Sequence, residues 1–146
     1  MDRIAPFLPE HIDAVFEIET ESFGDPWTKR SFGEILDNPF AAGFVALDGC
    51  GPAGYLIMYR IPPEIEILNV AVKKSRRRQK IATGLLCAAI EYAKSQKAEK
   101  LLLEVRKSNE GALKLYAKLG FTIDGTRKSY YINPAEDAVL MSLKVF

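Results

Sequence analysis

Apolar positions along this chain fall into short runs of two kinds, β-branched stretches and faces spaced three and four residues apart. Ile4 to Leu8 reads as a first strand, and Pro6 within it implies an edge or an interrupted ladder. Pro9 suits the first turn of a helix that sets Ile12, Val15, Phe16 and Glu19 on one side. His11 falls in that turn and is expected to be exposed. Phe23 to Pro26 is a turn, after which Thr28 reads as an N-cap, and Trp27 and Phe32 have the spacing of a hydrophobic staple. Phe40 to Leu47 and Ala53 to Arg60 read as strands joined through the turn at Asp48 to Pro52. Ile61-Pro62-Pro63 makes the next reversal, so the following strand is expected to be antiparallel.

That strand is E-I-L-N-V-A-V, Glu66 to Val72, and its β-branched residues favour extended structure. A helix from about Gln79 to Lys94 follows, with Ile81, Leu85, Ala89 and Tyr92 on a broad apolar face and Gly84 placed for close approach to the sheet. Cys87 in this run is expected to be a small core residue. Leu101 to Val105 is apolar enough to be a buried strand beside the central one. Ser108 or Asn109 caps the next helix, and Gly120 before Phe121 stops it. Two strands, about Thr122 to Tyr131 and Ala138 to Val145, close the chain. The expectation is an α/β fold of the α+β sandwich kind, with a mixed, mostly antiparallel sheet of six to seven strands and about four helices. A doubly wound parallel sheet fits poorly, because several reversals are too short for helical crossovers.

At 146 residues the chain is expected to form one domain, spanning residues 1–146. No apolar run approaches the roughly 20 residues of a membrane span, and Met1-Asp2-Arg3 begins no secretory signal. Cys50, Cys87 and one histidine make no metal-ligand pattern, which suits a reducing cytoplasm and a metal-free chemistry.

Charge changes the picture at one place. Lys73 to Lys80 holds 6 of the 20 basic residues and no acid, leaving 14 basic and 19 acidic groups elsewhere, a net of −5. The run leads into a helix N-terminus, where free N–H groups and the dipole favour an anion, so the site suits a polyphosphate. A solvated loop or an RNA-binding patch is the plainer alternative. Nucleic-acid domains spread positive charge along a face, whereas here it is focused on one helix start.

Five motifs carry a resemblance. R-R-Q-K-I-A (Arg77 to Ala82) resembles the pyrophosphate loop Q/R-x-x-G-x-G/A of the GNAT superfamily of acetyl-CoA-dependent N-acetyltransferases. L-E-V-R-x-S-N (Leu103 to Asn109), L-Y-x-x-L-G-F (Leu115 to Phe121) and Y-Y…E-D-A-x-x-M (Tyr130 to Met141) resemble its RimI branch, which acetylates protein N-termini. D-P-W-T at Asp25 to Thr28 fits the same branch. The similarity covers nearly the whole chain.

The resemblance implies a V-shaped opening beside the central strand, holding acetyl-CoA. Its pantetheine would pair with backbone at Val70, Ala71 and Val72. Its pyrophosphate would rest on the amides of Arg77, Arg78, Gln79, Lys80, Ile81, Ala82 and Thr83. Lys80 departs from the motif's glycine, but it keeps its N–H for the anion, and a helical φ would suit it. By the same resemblance Glu104 is the general base, Tyr116 the acid that protonates the departing thiolate, and Asn109 a hydrogen-bond partner of CoA. Trp27 and Tyr131 would wall the acceptor groove. The acceptor would be the N-terminal alanine of a small-subunit ribosomal protein, with no direct nucleic-acid contact and no membrane.

Residue by residue, other readings stand beside these. Glu104 interrupts an apolar strand, where a carboxylate is costly unless paired or used, and Arg106 two positions on shares its face. Tyr116 reads as a core tyrosine, Asn109 as an N-cap, and Tyr130 with Tyr131 as an aromatic pair. An α-amine of pKa about 7.7–8.0 is roughly one-tenth neutral at pH 7, within reach of a modest base, whereas a lysine at about 10.4 is hardly neutral at all. No Ser/His/Asp set or covalent cysteine is apparent, so direct attack on the thioester is simpler than a ping-pong route. An enzyme acting on internal lysines or a small amine, and a non-catalytic acyl-CoA-binding subunit, remain the rival readings.

Overall fold

The strands pair into one sheet in the spatial order β1 (Arg3–Pro6), β2 (Ala41–Asp48), β3 (Gly51–Ile61), β4 (Glu64–Val72), β5 (Lys100–Arg106), β7 (Glu136–Lys144), β6 (Thr122–Tyr131). The structure, a computed structural model, describes residues 3–77, 80–132 and 134–145. Four α-helices among the described residues flank the sheet: α1 (Ile12–Ser22), α2 (Lys29–Asp37), α3 (Ile81–Ser95) and α4 (Glu110–Lys118). Neighbouring strands are antiparallel except β4 and β5, giving the mixed, mostly antiparallel α+β sandwich the patterning predicts.

Each face of the sheet has its own core, and β3 feeds both. Leu56 and Met58 pack with Leu85, Leu86 and Ala89 of α3 and with Tyr116 of α4. Tyr55 and Ile57 pack with Val15 and Ile18 of α1 and Phe32 of α2. This alternation follows from the period of two along a strand. Burying both faces makes β3 apolar throughout, from Ala53 to Met58.

Two irregularities in β4 shape everything that follows. Against β3 its register passes from Met58↔Ile67 to Ile57↔Asn69, so Leu68 is a bulge residue. The bulge reverses which side chains face which core. Ile65 and Ile67 face the α3 core before it, and Ala71 faces the α1 core after it. Against β5, β4 pairs only through Glu64↔Lys100, Ile65↔Leu101 and Glu66↔Leu102. Beyond that point β5 stays with β7 along its length, and β4 runs on beside β3. The sheet is therefore split from Glu66 onward.

Three local expectations are corrected. His11 is buried, not exposed: Pro9–His11 is a 3-10 turn, and the Leu8 N–H donates to His11 Nδ1 at 3.0 Å. Cys87 is exposed, because α3 turns Leu85, Leu86, Ala89 and Ala93 inward and leaves position 87 outside. Close approach of α3 to the sheet is provided by Gly54, where a Cβ would meet the Ala71 carbonyl at 3.0 Å and Ile81 Cγ2 at 3.1 Å. At Gly84 a Cβ would meet only an ordinary contact with Ile4, at 3.6 Å.

Candidate active site

The split between β4 and β5 opens into a cleft of about 620 Å³. Its β4 wall presents Glu66 to Val70, and from Asn69 to Val72 the backbone is paired to β3 on one edge and, among the described residues, to no strand on the other. Val70, Ala71 and Val72 therefore lie on a strand edge of the kind to which an extended ligand can add.

Beyond β4 the chain enters α3 through the basic loop. Arg77 Nε donates to the Val72 carbonyl at 3.1 Å and its Nη2 to Ser22 Oγ at 3.3 Å, so its guanidinium anchors the loop to the ends of β4 and α1. Arg76 is ion-paired with Asp48. The Cys50 N–H and the nearby cations hold that carboxyl below its usual range. The first backbone bond of α3 is Gly84 N–H to the Lys80 carbonyl at 3.1 Å, which leaves the N–H groups of Ile81, Ala82 and Thr83 without an intrahelical acceptor. These donors and the helix dipole fit a pyrophosphate. Arg78 and Gln79, expected at the same place, lie outside the described residues. Lys80 is not helical: it sits at φ 62° and ψ 19°, the left-handed conformation that glycine adopts without strain.

On the other wall, Glu104 projects from the face of β5 opposite Leu103 and Val105, which are buried in the α3 core. Its Oε1 lies 3.4 Å from Arg127 Nη1. The alternative pairing with Arg106 is not formed. Arg106 instead reaches the Pro134 and Ile132 carbonyls at 2.8 and 3.0 Å, pairs with Glu136 at 3.4 Å and stacks on Tyr131 at 4.5 Å. Glu66, which the sequence marks only as the start of the central strand, faces the same side at the fork. Burial, then the charge of Glu104, raises its carboxyl above the usual range.

Tyr130 and Tyr131 both enter this wall although neighbours on a strand normally point apart. Ser129 takes φ 51° and donates its N–H to Asp137 Oδ1 at 2.8 Å, within a register shift between Arg127 and Tyr131. The two rings then meet edge to face at 5.0 Å. A hydrogen bond with Glu104, followed by burial, raises the Tyr130 hydroxyl, and burial followed by the Glu104 charge pushes Tyr131 up to about 12.

Tyr116 reaches the cleft from the opposite face, out of the α3 core. Burial pushes its hydroxyl up to about 12. Asn109 caps α4, with Oδ1 accepting from the Ala112 N–H at 3.2 Å, and it also lines the cleft. Its capping role is formed, and its amide NH₂ has no partner among the described residues.

The remaining wall is the α1–α2 connection. Trp27 packs on Phe32 with ring centroids 5.4 Å apart, the predicted staple, and Thr28 caps α2 by accepting from the Ser31 N–H at 3.1 Å. Trp27 lines the cleft as well. Its backbone N–H donates to Glu19 Oε2 at 2.8 Å. Glu19 is buried and was legible in the sequence only as a polar residue on an apolar face.

Comparison with known proteins agrees with the fold. Residues 12–121 match the family described as Acetyltransferase (GNAT) family. A Bacillus subtilis (strain 168) protein named "Putative ribosomal protein bS18-alanine N-acetyltransferase" is 42% identical over 133 residues, covering 90% of this chain and 88% of that protein. The crystal structure of the ribosomal-protein-S18-alanine N-acetyltransferase from Escherichia coli superposes with a TM-score of 0.91 at 28% identity, covering 99% of this chain and 94% of that one. Arabidopsis thaliana NAA60 in complex with acetyl-CoA shares the fold, with a TM-score of 0.89 at 16% identity over 99% of both chains.

Proposed function

This chain belongs to the acetyltransferase (GNAT) family and is an N-acetyltransferase that uses acetyl-CoA, and we propose that its acceptor is the N-terminal alanine of ribosomal protein bS18. A ribosomal acceptor puts the reaction in the cytoplasm. Among the described residues no helix is long and apolar enough to cross a membrane.

The observation that carries the mechanism is that Glu104 and Tyr116 enter one cleft from opposite faces of the split sheet. The acetyl donor lies along the free edge of Val70 to Val72, with its pyrophosphate at the loop and first turn from Arg77 to Thr83. Asn109 hydrogen-bonds the same ligand. The peptide enters between Trp27 and Tyr131. Glu104 accepts a proton, through water, from the amine, which attacks the thioester carbonyl directly. A carbon–nitrogen bond forms and the carbon–sulfur bond breaks. Tyr116 gives its proton to the departing sulfur, so the products are the acetylated amide and free CoA thiol, and both side chains then re-equilibrate with solvent. An acid pushed up to about 12 keeps its proton at neutral pH. A modest base suits an α-amine acceptor, which needs little help to become neutral.

Thiol release from acetyl-CoA and a peptide beginning with alanine tests the base. Glu104→Gln should lower turnover by about 10²–10⁴-fold with little loss of acetyl-CoA affinity. Wild-type turnover in that variant at saturating substrate would sink the assignment.

A further inference from the structure

Glu19 lies on α1 among Val15 and Ile18 and is 1% exposed. Its Oε1 accepts from the Tyr55 hydroxyl and from Asn69 Nδ2 at 2.8 Å. Its Oε2 accepts from the Trp27 N–H at 2.8 Å. These partners belong to β3, β4 and the α1–α2 connection, and all of them donate. Among the described residues no cation pairs with it. A carboxylate that only accepts is the group such a set of donors fits. Burial, and then the charge of Glu19, drives the Tyr55 hydroxyl well above its ordinary range.

Stability alone does not call for this arrangement. An apolar side chain at position 19 facing a phenylalanine at 55 would fill the space without desolvating a charge. What the carboxylate adds is geometry. Trp27 and Asn69 both line the cleft, and Asn69 directly follows the bulge residue Leu68. One side chain therefore accepts hydrogen bonds both from the tryptophan connection and from the residue that follows the β4 bulge.

We propose that Glu19 is the positioning residue of the acceptor groove, holding the Trp27 connection against β4 at the separation the incoming peptide needs. The inference rests on the reading of the cleft as an N-terminal peptide site. The donor's expected contacts lie on the free edge of Val70 to Val72 and at α3, so the clamp should affect the acceptor and leave the donor alone.

Glu19→Gln keeps the volume but turns an NH₂ toward one of the donors, so at least one of the three hydrogen bonds is lost. Two readouts follow. Trp27 is the only tryptophan, so acrylamide quenching of intrinsic fluorescence in the ligand-free protein reports its fixation without reference to turnover. Quenching should increase in the variant. The kcat/KM for an alanine-initiated peptide should fall about tenfold, through KM, with acetyl-CoA affinity unchanged. Trp27→Ala should then cost less in the Glu19→Gln background than in wild type. Asn69→Ala, at a half-buried position, removes a single bond and should give the same pattern at smaller size if Glu19→Gln does not fold. Unchanged quenching together with unchanged kcat/KM would overturn the proposal, as would a parallel loss of acetyl-CoA affinity. If wild type fails to acetylate the peptide, the functional reading fails instead, and the quenching result still decides the clamp.

Discussion

Tyr116 and Phe121 are joined twice, by the Phe121 N–H donating to the Tyr116 carbonyl at 3.0 Å and by rings whose centroids are 5.8 Å apart. Gly120 between them takes φ 103° and donates to the Ala117 carbonyl at 3.0 Å, completing a Schellman stop. The helix end that carries the hydroxyl is thus braced by the chain itself, before any ligand arrives. The hydroxyl has no hydrogen-bond partner among the described residues and is not sealed from the cleft.

Tyr116→Phe keeps the brace and the ring packing, so the melting temperature should barely move. Turnover should fall by about 10²–10⁴-fold. The loss should shrink with acyl donors whose thiols are more acidic, since these leave with less help. An equal loss with every donor would indicate packing instead of proton transfer.

The pH profile gives a separate check on the same group. A general acid acts in its protonated form, which exists below its pKa. With the hydroxyl pushed up to about 12, wild-type kcat should hold between about pH 8 and about pH 10, where an ordinary tyrosine begins to ionise. A descending limb in that window that disappears in Tyr116→Phe would contradict the assignment.

Lys80 occupies glycine's place in the loop with glycine's backbone conformation, φ 62°. A helical φ was the sequence expectation, and the turn from loop into α3 overrides it. A side chain in the left-handed region costs roughly 1–2 kcal/mol, so Lys80→Gly should raise stability by an amount of that order, read by urea denaturation. The glycine variant should bind acetyl-CoA more weakly at low salt, with a difference that fades as salt rises, because it loses one cation near the phosphates. Tighter binding by the variant at both salt concentrations would show that the lysine distorts the phosphate loop.

Glu66 supplies a stability prediction with a definite sign. Its carboxyl is raised by burial and by Glu104, so the folded state prefers it protonated. Its ionisation therefore opposes folding above the carboxylate range, and that cost disappears as pH falls below it. Glu66→Gln should melt higher than wild type near pH 7, and the gap should close toward about pH 4. A gap that widened in acid would reverse the sign and refute the assignment.

Much of this architecture is legible in the sequence because its signals are local. The Thr28 and Asn109 caps, the Trp27–Phe32 staple and the Gly120 stop each depend on residues within a few positions, and each is formed. The misses are of a different kind. Nothing near Leu68 marks a bulge, neither glycine nor proline, so the reversal of faces along β4 is invisible to a period-two reading. Ser129 hides the β6 register shift between Arg127 and Tyr131, and with it the shared wall of Tyr130 and Tyr131. Glu19 looks like a stray polar residue until folding brings Tyr55 and Asn69, 36 and 50 positions away, to its oxygens. His11 and Cys87 fail through helix phase: a 3-10 turn advances the chain differently from an α-helix, and the inward face of α3 is centred nearer Leu85 and Ala89 than Tyr92.

The most direct measurement is where the acetyl group lands. Wild-type protein and acetyl-CoA are incubated with two peptides, one beginning with a free alanine and one blocked at its α-amine but carrying free lysines, and the products are weighed intact and then fragmented. A single acetyl group on the alanine nitrogen of the first peptide, and none on the second, is the predicted result. Acetylation of lysines in the blocked peptide, with the free N-terminus left untouched, would contradict it.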